Sequence, residues 1–367
     1  MKSDIGKNAK FVREHLETLR GFAERGDVSV MYLLGCYYDG GFCEGGGNDP
    51  DEAVKWYKKA SRLGFASAMN NLGSMYLRGQ DVRRSAAKAS KWFRKAAELG
   101  NVVAQTNLAE MYRYGDGVRV DSAEAAKWYR KAAEQGDAEA QAVLGVMYYY
   151  GEGVRKNAAE AVKWYREAAD QGDCSAQNNL GVCYDKGEGV AQDRTEALKW
   201  YRKAARQGSA FAQTNIGEMY ETGRGVAKSA VRAAEWYRKA AERGYAGAQY
   251  DLGELYAGGN GVAKDLHAAE TWYRKSAEQG YAKAQTRLGG MYYNGDGVEK
   301  NLAEAVKWVR MAAEQGYADA QYKLAFMYDL GLGVRASGAE ATKWLRRAAE
   351  QGHAEAKWSL ASNRGKP

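Results

Sequence analysis

Three histidines (His15, His267, His353) and four cysteines (Cys36, Cys43, Cys174, Cys183) are the side chains best suited to bind metals or act as nucleophiles. Their spacing supports neither role. No H-E-x-x-H, C-x-x-C or G-x-S-x-G occurs, so a helical zinc pair, a dithiol and a nucleophile elbow are not expected. Cys174 and Cys183 lie nine positions apart on what reads as one helix. At about 1.5 Å of rise per residue their thiols stand too far apart to bond. Cys36 and Cys43 could meet across a loop, but nothing requires it. Scattered thiols fit a reducing compartment. The run Gly151-Glu152-Gly153-Val154 and its equivalents resemble phosphate-cradling loops. They follow helices rather than strands and lack a lysine-serine signature, so they read as helix caps. Glu98, Glu134, Glu242, Glu278, Glu314 and Glu350 hold one recurring position. A catalytic acid would break such a pattern rather than obey it. The expectation is a protein without a catalytic residue, metal site or cofactor.

The elements behind these residues follow a strict beat. Nine tryptophans, at 56, 92, 128, 164, 200, 236, 272, 308 and 344, are separated by 36 residues each time. The next residue is Tyr57, Phe93, Tyr129, Tyr165, Tyr201, Tyr237, Tyr273, Val309 or Leu345. A glycine closes each phrase, from Gly64 to Gly352. In the unit from Asp137 to Gly172, Asp137 suits an N-cap. Ala140, Leu144, Met147 and Tyr148 then recur at helical spacing. Gly151 offers a left-handed cap, and Asn157 can open a second helix. There Ala161, Trp164, Tyr165, Ala168 and Ala169 draw another apolar stripe. Each unit therefore reads as a helix A, a short loop and an antiparallel helix B.

Glycine recurs inside helix A at Gly73, Gly145, Gly181, Gly217, Gly253 and Gly289. Each costs about 1 kcal/mol against alanine, which implies a close helix crossing. The expected occupant of that crossing is the large Trp of a neighbouring B helix. A buried Trp removes roughly 150–250 Å² from water, about 4–6 kcal/mol gross. The ladder Trp56, Trp92, Trp128, Trp164, Trp200, Trp236, Trp272, Trp308 and Trp344 is therefore assigned to the core. A unit with one apolar face cannot bury it alone, so neighbours must stack.

The consensus A-x-A-Q-x-x-L-G-x-M-Y-x-x-G-x-G-V followed by A-x-x-W-Y-x-K-A-A-E-Q-G resembles the Sel1-like repeat family, a 36-residue relative of tetratricopeptide repeats. The resemblance covers about residues 27–360. It implies an all-α, right-handed superhelical solenoid of helix-turn-helix repeats. The expected organisation is a capping helix at 1–26 and repeats at 27–64, 65–100, 101–136, 137–172, 173–208, 209–244, 245–280, 281–316 and 317–352, then a capping helix and tail at 353–367. The first loop, GGFCEGGGNDP, is two residues longer than the others, and Asp81 replaces the second loop glycine of the second unit. Thr18 stands where the first capping helix would carry its Trp.

Formal charge is +8 over 367 residues. Lys127, Arg130 and Lys131 flank Trp128, with Glu124 and Glu134 in reach as helical ion-pair partners. Spread so regularly, these charges read as solvated faces and not as a nucleic-acid footprint. No run approaches the ~20 apolar residues of a membrane span, and the start lacks a signal-peptide core. Cytoplasm is the expected address, with export or the periplasm as the alternative.

In superhelical relatives the A helices line the concave surface, so positions equivalent to 143, 146 and 150 become the candidate binding face. Those singled out are Asn71, Asn107, Glu110, Tyr114, Tyr149, Tyr150, Asn179, Asn215, Glu218, Asp251 and Glu254. The face runs from aromatic and apolar groups to an acidic stretch, then to Arg287 and Lys323. Two roles fit the asparagines: binding a ligand or bracing the neighbouring loop. The resemblance implies an adaptor holding a protein or peptide partner in its groove, and a monomer is expected. It also leaves open an immunity protein that blocks a toxin, or a cell-wall hydrolase like that suggested for cysteine-rich relatives.

Overall fold

Side-chain caps and left-handed glycines set the element boundaries. Asp137 accepts a hydrogen bond from the Ala140 amide at 2.8 Å. Asn157 accepts from Ala159 and Glu160. Gly151 ends the intervening helix at φ +82°, a region open to glycine without a Cβ penalty. The computed structural model describes residues 11–39, 47–79 and 82–363. Cys43, Asp81, the start of the proposed N-terminal cap and the last four residues lie outside the described residues.

The chain is 74% helical, with no strand among the described residues. In chain order the helices are α1 (Leu16–Glu24), α2 (Val28–Tyr38), α3 (Pro50–Arg62), α4 (Ala66–Arg78), α5 (Ala86–Glu98), α6 (Val102–Tyr114), α7 (Ser122–Glu134), α8 (Ala138–Tyr150), α9 (Ala158–Asp170) and α10 (Cys174–Lys186). They continue as α11 (Arg194–Arg206), α12 (Ala210–Thr222), α13 (Ala230–Glu242), α14 (Ala246–Gly258), α15 (Leu266–Glu278), α16 (Ala282–Asn294), α17 (Leu302–Glu314), α18 (Ala318–Leu330), α19 (Gly338–Glu350) and α20 (Ala354–Asn363). From α2 to α19, even numbers are A helices and odd numbers B helices. Within each compact unit, A helices other than α10 pack mainly on the B helix that follows and on the one before. This is an all-α solenoid. Two compact units emerge: Met1–Cys183 with Gly187–Ala191, and Tyr184–Lys186 with Gln192–Pro367. The periodicity alone drew no such division.

The glycine crossings are real, but the expected occupant is wrong. A Cβ added at Gly145 would meet the ring of Tyr165, not a tryptophan. The same holds for Gly35 with Tyr57, Gly73 with Phe93, Gly217 with Tyr237 and Gly253 with Tyr273. Consecutive helical residues point about 100° apart, so Trp and its successor cannot both face the A helix. The successor does. The Trp is buried elsewhere in the core, as at Trp56, Trp128, Trp164, Trp200, Trp308 and Trp344. Trp92, Trp236 and Trp272 are partly buried. A lysine often covers the outer ring face: Lys131 lies 4.0 Å from the Trp128 centroid and Lys203 3.6 Å from that of Trp200, a cation–π arrangement.

That contact also corrects the expected charge pairing. Lys127 does bond Glu124, but Lys131 sits on Trp128. Arg130 donates to the Tyr148 hydroxyl of the next A helix. Arg238 does the same to Tyr256 at 2.9 Å and Arg310 to Tyr328 at 2.8 Å. The basic residues of the phrase are thus structural. A second ladder uses glutamine. Gln141 is buried, donates to the Ala133 carbonyl at 3.0 Å and accepts from Gln171 at 2.7 Å. One amide therefore ties an A helix to both neighbouring B helices, satisfying polar groups that burial would otherwise penalise. The second loop glycine has its own reason. A Cβ at Gly153 (φ +68°) would strike the Ser122 backbone at the start of α7, so the loop of one repeat closes on the B helix of the repeat before.

Candidate functional site

The B-helix tyrosine that covers the glycine carries a hydroxyl, and burial demands a partner for it. For Tyr57 and Tyr165 that partner comes from the next A helix, 14 positions on. Asn71 donates to the Tyr57 hydroxyl at 3.0 Å, and Asn179 hydrogen-bonds Tyr165. The phenols of Tyr57 and Tyr165 are held above their ordinary pKa, first by burial. Asn71 is only 3% exposed. Asn107 follows Phe93, which has no hydroxyl, and donates to Asn70 at 3.0 Å instead. All three asparagines are engaged within the fold: Asn71 and Asn179 brace a tyrosine and Asn107 another asparagine. Asn215 is half-buried at the matching position of α12.

In the first unit the outer positions of α6 and α8 stay open. Tyr114 is 70% and Tyr150 71% exposed. Tyr150 packs edge-on against Tyr149 with centroids 5.0 Å apart, and Tyr149 donates to Glu188. Glu110 is exposed. Its carboxyl is raised above the ordinary range by partial burial and by Glu139.

In the second unit the acidic stretch turns inward. Glu218 pairs with Arg224 at 3.1 Å and Glu254 with Arg287 at 2.8 Å. Tyr237 donates to Glu221 at 2.7 Å, and Tyr273 donates to Glu254. Asp251 is half-buried at the position where Asn71 and Asn179 brace their tyrosines. Burial, then Glu218 and Glu221, push its carboxyl up to about 7. Arg287, Glu254 and Lys323 line one groove of about 580 Å³. Glu221 and Tyr273 also line it, and neither was singled out in the sequence. The Tyr273 position varies little between repeats and gave no signal, whereas the Glu221 position, held elsewhere by Arg113, Tyr149, Asp185 and Ala257, varies enough to have been a candidate. Among the described residues no group of His, Cys, Asp and Glu is arranged to hold a metal. No helix there is long and apolar enough to cross a membrane. Cys36, Cys174 and Cys183 are thiols.

Nine consecutive segments, residues 28–65, 66–101, 102–137, 138–173, 174–209, 210–245, 246–281, 282–317 and 318–353, match the Sel1 repeat. The chain belongs to the Sel1 repeat family. No curated protein matches its sequence. Among solved structures it is similar to a protective antigen present in uropathogenic Escherichia coli strains, with 36% identity over 97% of this chain and 86% of that one and a TM-score of 0.68. It is also similar to a Sel1 repeat protein from Oxalobacter formigenes, with 34% identity over 84% and 89% and a TM-score of 0.66. An immunity protein from Pseudomonas aeruginosa is 22% identical over 58% and 81%, with a TM-score of 0.40, too remote to carry an argument. Sel1 repeat proteins generally mediate protein–protein interaction, and the family is typically non-catalytic.

Proposed function

We propose that this Sel1 repeat protein is a non-enzymatic scaffold that binds a protein or peptide along its row of A helices. One observation carries the reading. Tyr114 and Tyr150 occupy the same helical position in successive repeats, are about as exposed as each other, and belong to neither the tyrosine seam nor the glutamine ladder. Large aromatic side chains left in water at matched positions are the anchors that protein interfaces favour. The commitment of arginines to tyrosines and of lysines to tryptophans speaks for a protein partner over a polyanion.

The test is affinity capture from the native host with the full chain, followed by binding measurements on the captured partner. Tyr114→Ala with Tyr150→Ala should weaken binding about 10- to 100-fold while leaving the helical circular dichroism unchanged. Retention of full affinity by that double variant, and by Glu218→Lys with Glu254→Lys, would refute the A-helix row as the binding face.

A further inference from the structure

Repeat 8 breaks the pattern that repeats 1 to 7 keep. Its A helix retains Gly289, but the residue after Trp308 is Val309, where a tyrosine or phenylalanine stands in repeats 1 to 7. Repeat 9 also lacks the aromatic residue, carrying Leu345, but compensates with Ala325 in place of glycine. In repeat 8 a Val309 methyl still covers Gly289, where an added Cβ would meet it at 2.6 Å, but the rest of the ring is missing. Repeat 8 widens the gap with Gly290, whose added Cβ would meet nothing within 4 Å; Val146, Glu254 and Phe326 hold that position in other repeats. The result is a pocket of about 250 Å³, walled by Gly289, Gly290, Tyr293, Val309, Phe326 and Met327. It opens where the phenol ring would lie.

The next A helix places an exposed lysine at the pocket's edge. Lys323 occupies the position, 14 residues after Val309, from which Asn71 and Asn179 serve the hydroxyls of Tyr57 and Tyr165. It lines both this pocket and the larger groove. It makes no hydrogen bond or ion pair among the described residues. Asp319 on its own helix bonds His353 instead, at 3.3 Å. Of the groove's other carboxylates, Glu254 is engaged by Arg287, Glu221 by Tyr237 and Asp296 by Asn294. The Lys323 ammonium is accordingly held below its ordinary pKa by the crowded groove wall and by Arg287, with only Asp319 opposing. An apolar hole the size of a ring beside an exposed cation without an ion-pair partner suits a ligand that carries an apolar side chain next to a carboxylate.

We propose that the notch of repeat 8 is a docking site for a linear acidic peptide. Its aromatic or large aliphatic side chain fills the space next to Val309, and an adjacent carboxylate pairs with Lys323. The inference rests on the scaffold reading and names the chemistry of one partner segment. The peptide supplies what Tyr165 and Asn179 supply internally to repeat 4, an apolar filling and a polar closure.

The test pans a phage-displayed library of random dodecapeptides on the full chain and measures selected peptides by fluorescence anisotropy. Peptides bearing Phe or Leu beside Asp or Glu should be enriched. Val309→Tyr, which restores the repeat consensus and so should fold, should weaken them about tenfold or more. Lys323→Asn should weaken the acidic peptide about tenfold and leave its Gln-substituted analogue unchanged. Selected peptides that lack a carboxylate, or that bind Val309→Tyr as tightly as the parent, would overturn the notch while leaving the scaffold reading intact. A library with no enriched peptide would overturn the notch too, and the host-partner experiment would then decide the scaffold reading on its own.

Discussion

Repeats 4 and 8 are written in nearly the same words and do different things. In repeat 4 the Tyr165 ring lies on Gly145 and its hydroxyl is closed by Asn179. In repeat 8 the ring is absent, Gly289 remains, and Lys323 faces an open pocket. The difference teaches that the repeated phrase is consumed by the fold. Its tyrosine covers a glycine, its arginine holds a tyrosine, its lysine covers a tryptophan, and its glutamine ties three helices. Capacity to bind arises where a unit stops using one of these parts, or at outer positions that no ladder uses.

Stacked repeats can open one at a time, so stability is best read as native-state hydrogen exchange in the affected helices. The largest effect expected is from Tyr165→Val, which copies repeat 8 into repeat 4. It should lower the opening free energy of α8 and α9 by about 2–4 kcal/mol, from a new cavity and an abandoned Asn179 amide. An effect confined to tenths of a kcal/mol would mean that the seam does not hold the pair together.

Next comes Asp251→Asn. The carboxyl is raised to about 7 in the folded chain, so the unfolded chain loses its proton first as pH rises. The group therefore destabilises progressively from about pH 4 to 7 and uniformly above that. Discounted for its partial exposure, removing the charge should stabilise α14 by about 1–2 kcal/mol at pH 8 and flatten the pH dependence of exchange there. Unchanged exchange at pH 8 would contradict the burial of that charge.

Arg130→Met keeps the stem and removes the hydrogen bond to Tyr148. It should cost about 0.5–1.5 kcal/mol, enough to separate a structural arginine from a solvated one. Tyr150→Ala should change stability by no more than about 0.5 kcal/mol while weakening partner binding, the signature of a residue outside the fold's own ladders.

Much of this was legible beforehand, and the failures have a common physical form. Asp137, Asn157 and Gly151 announced their caps because capping is local chemistry. Gly145 announced a close crossing, but not with what. Trp164 and Tyr165 are both large, and the sequence does not say which side of the helix meets the glycine. The acidic run at Glu218 and Glu254 looked available to a partner. Arg224 folds back on Glu218 from the loop after the same helix, and Arg287 reaches Glu254 only once helices pack. Val309 was visible as a departure from the phrase from the start. It acquired meaning only when its predecessors were seen lying on glycines.

The most direct measurement is hydrogen exchange in α16 and α17 of Val309→Tyr. If repeat 8 lacks a ring that its backbone still accommodates, restoring it should slow exchange there, by about 1–2 kcal/mol in opening free energy. Faster exchange in those helices would mean that no phenol-sized space exists beside Gly289, and would contradict the account of how these repeats are held together.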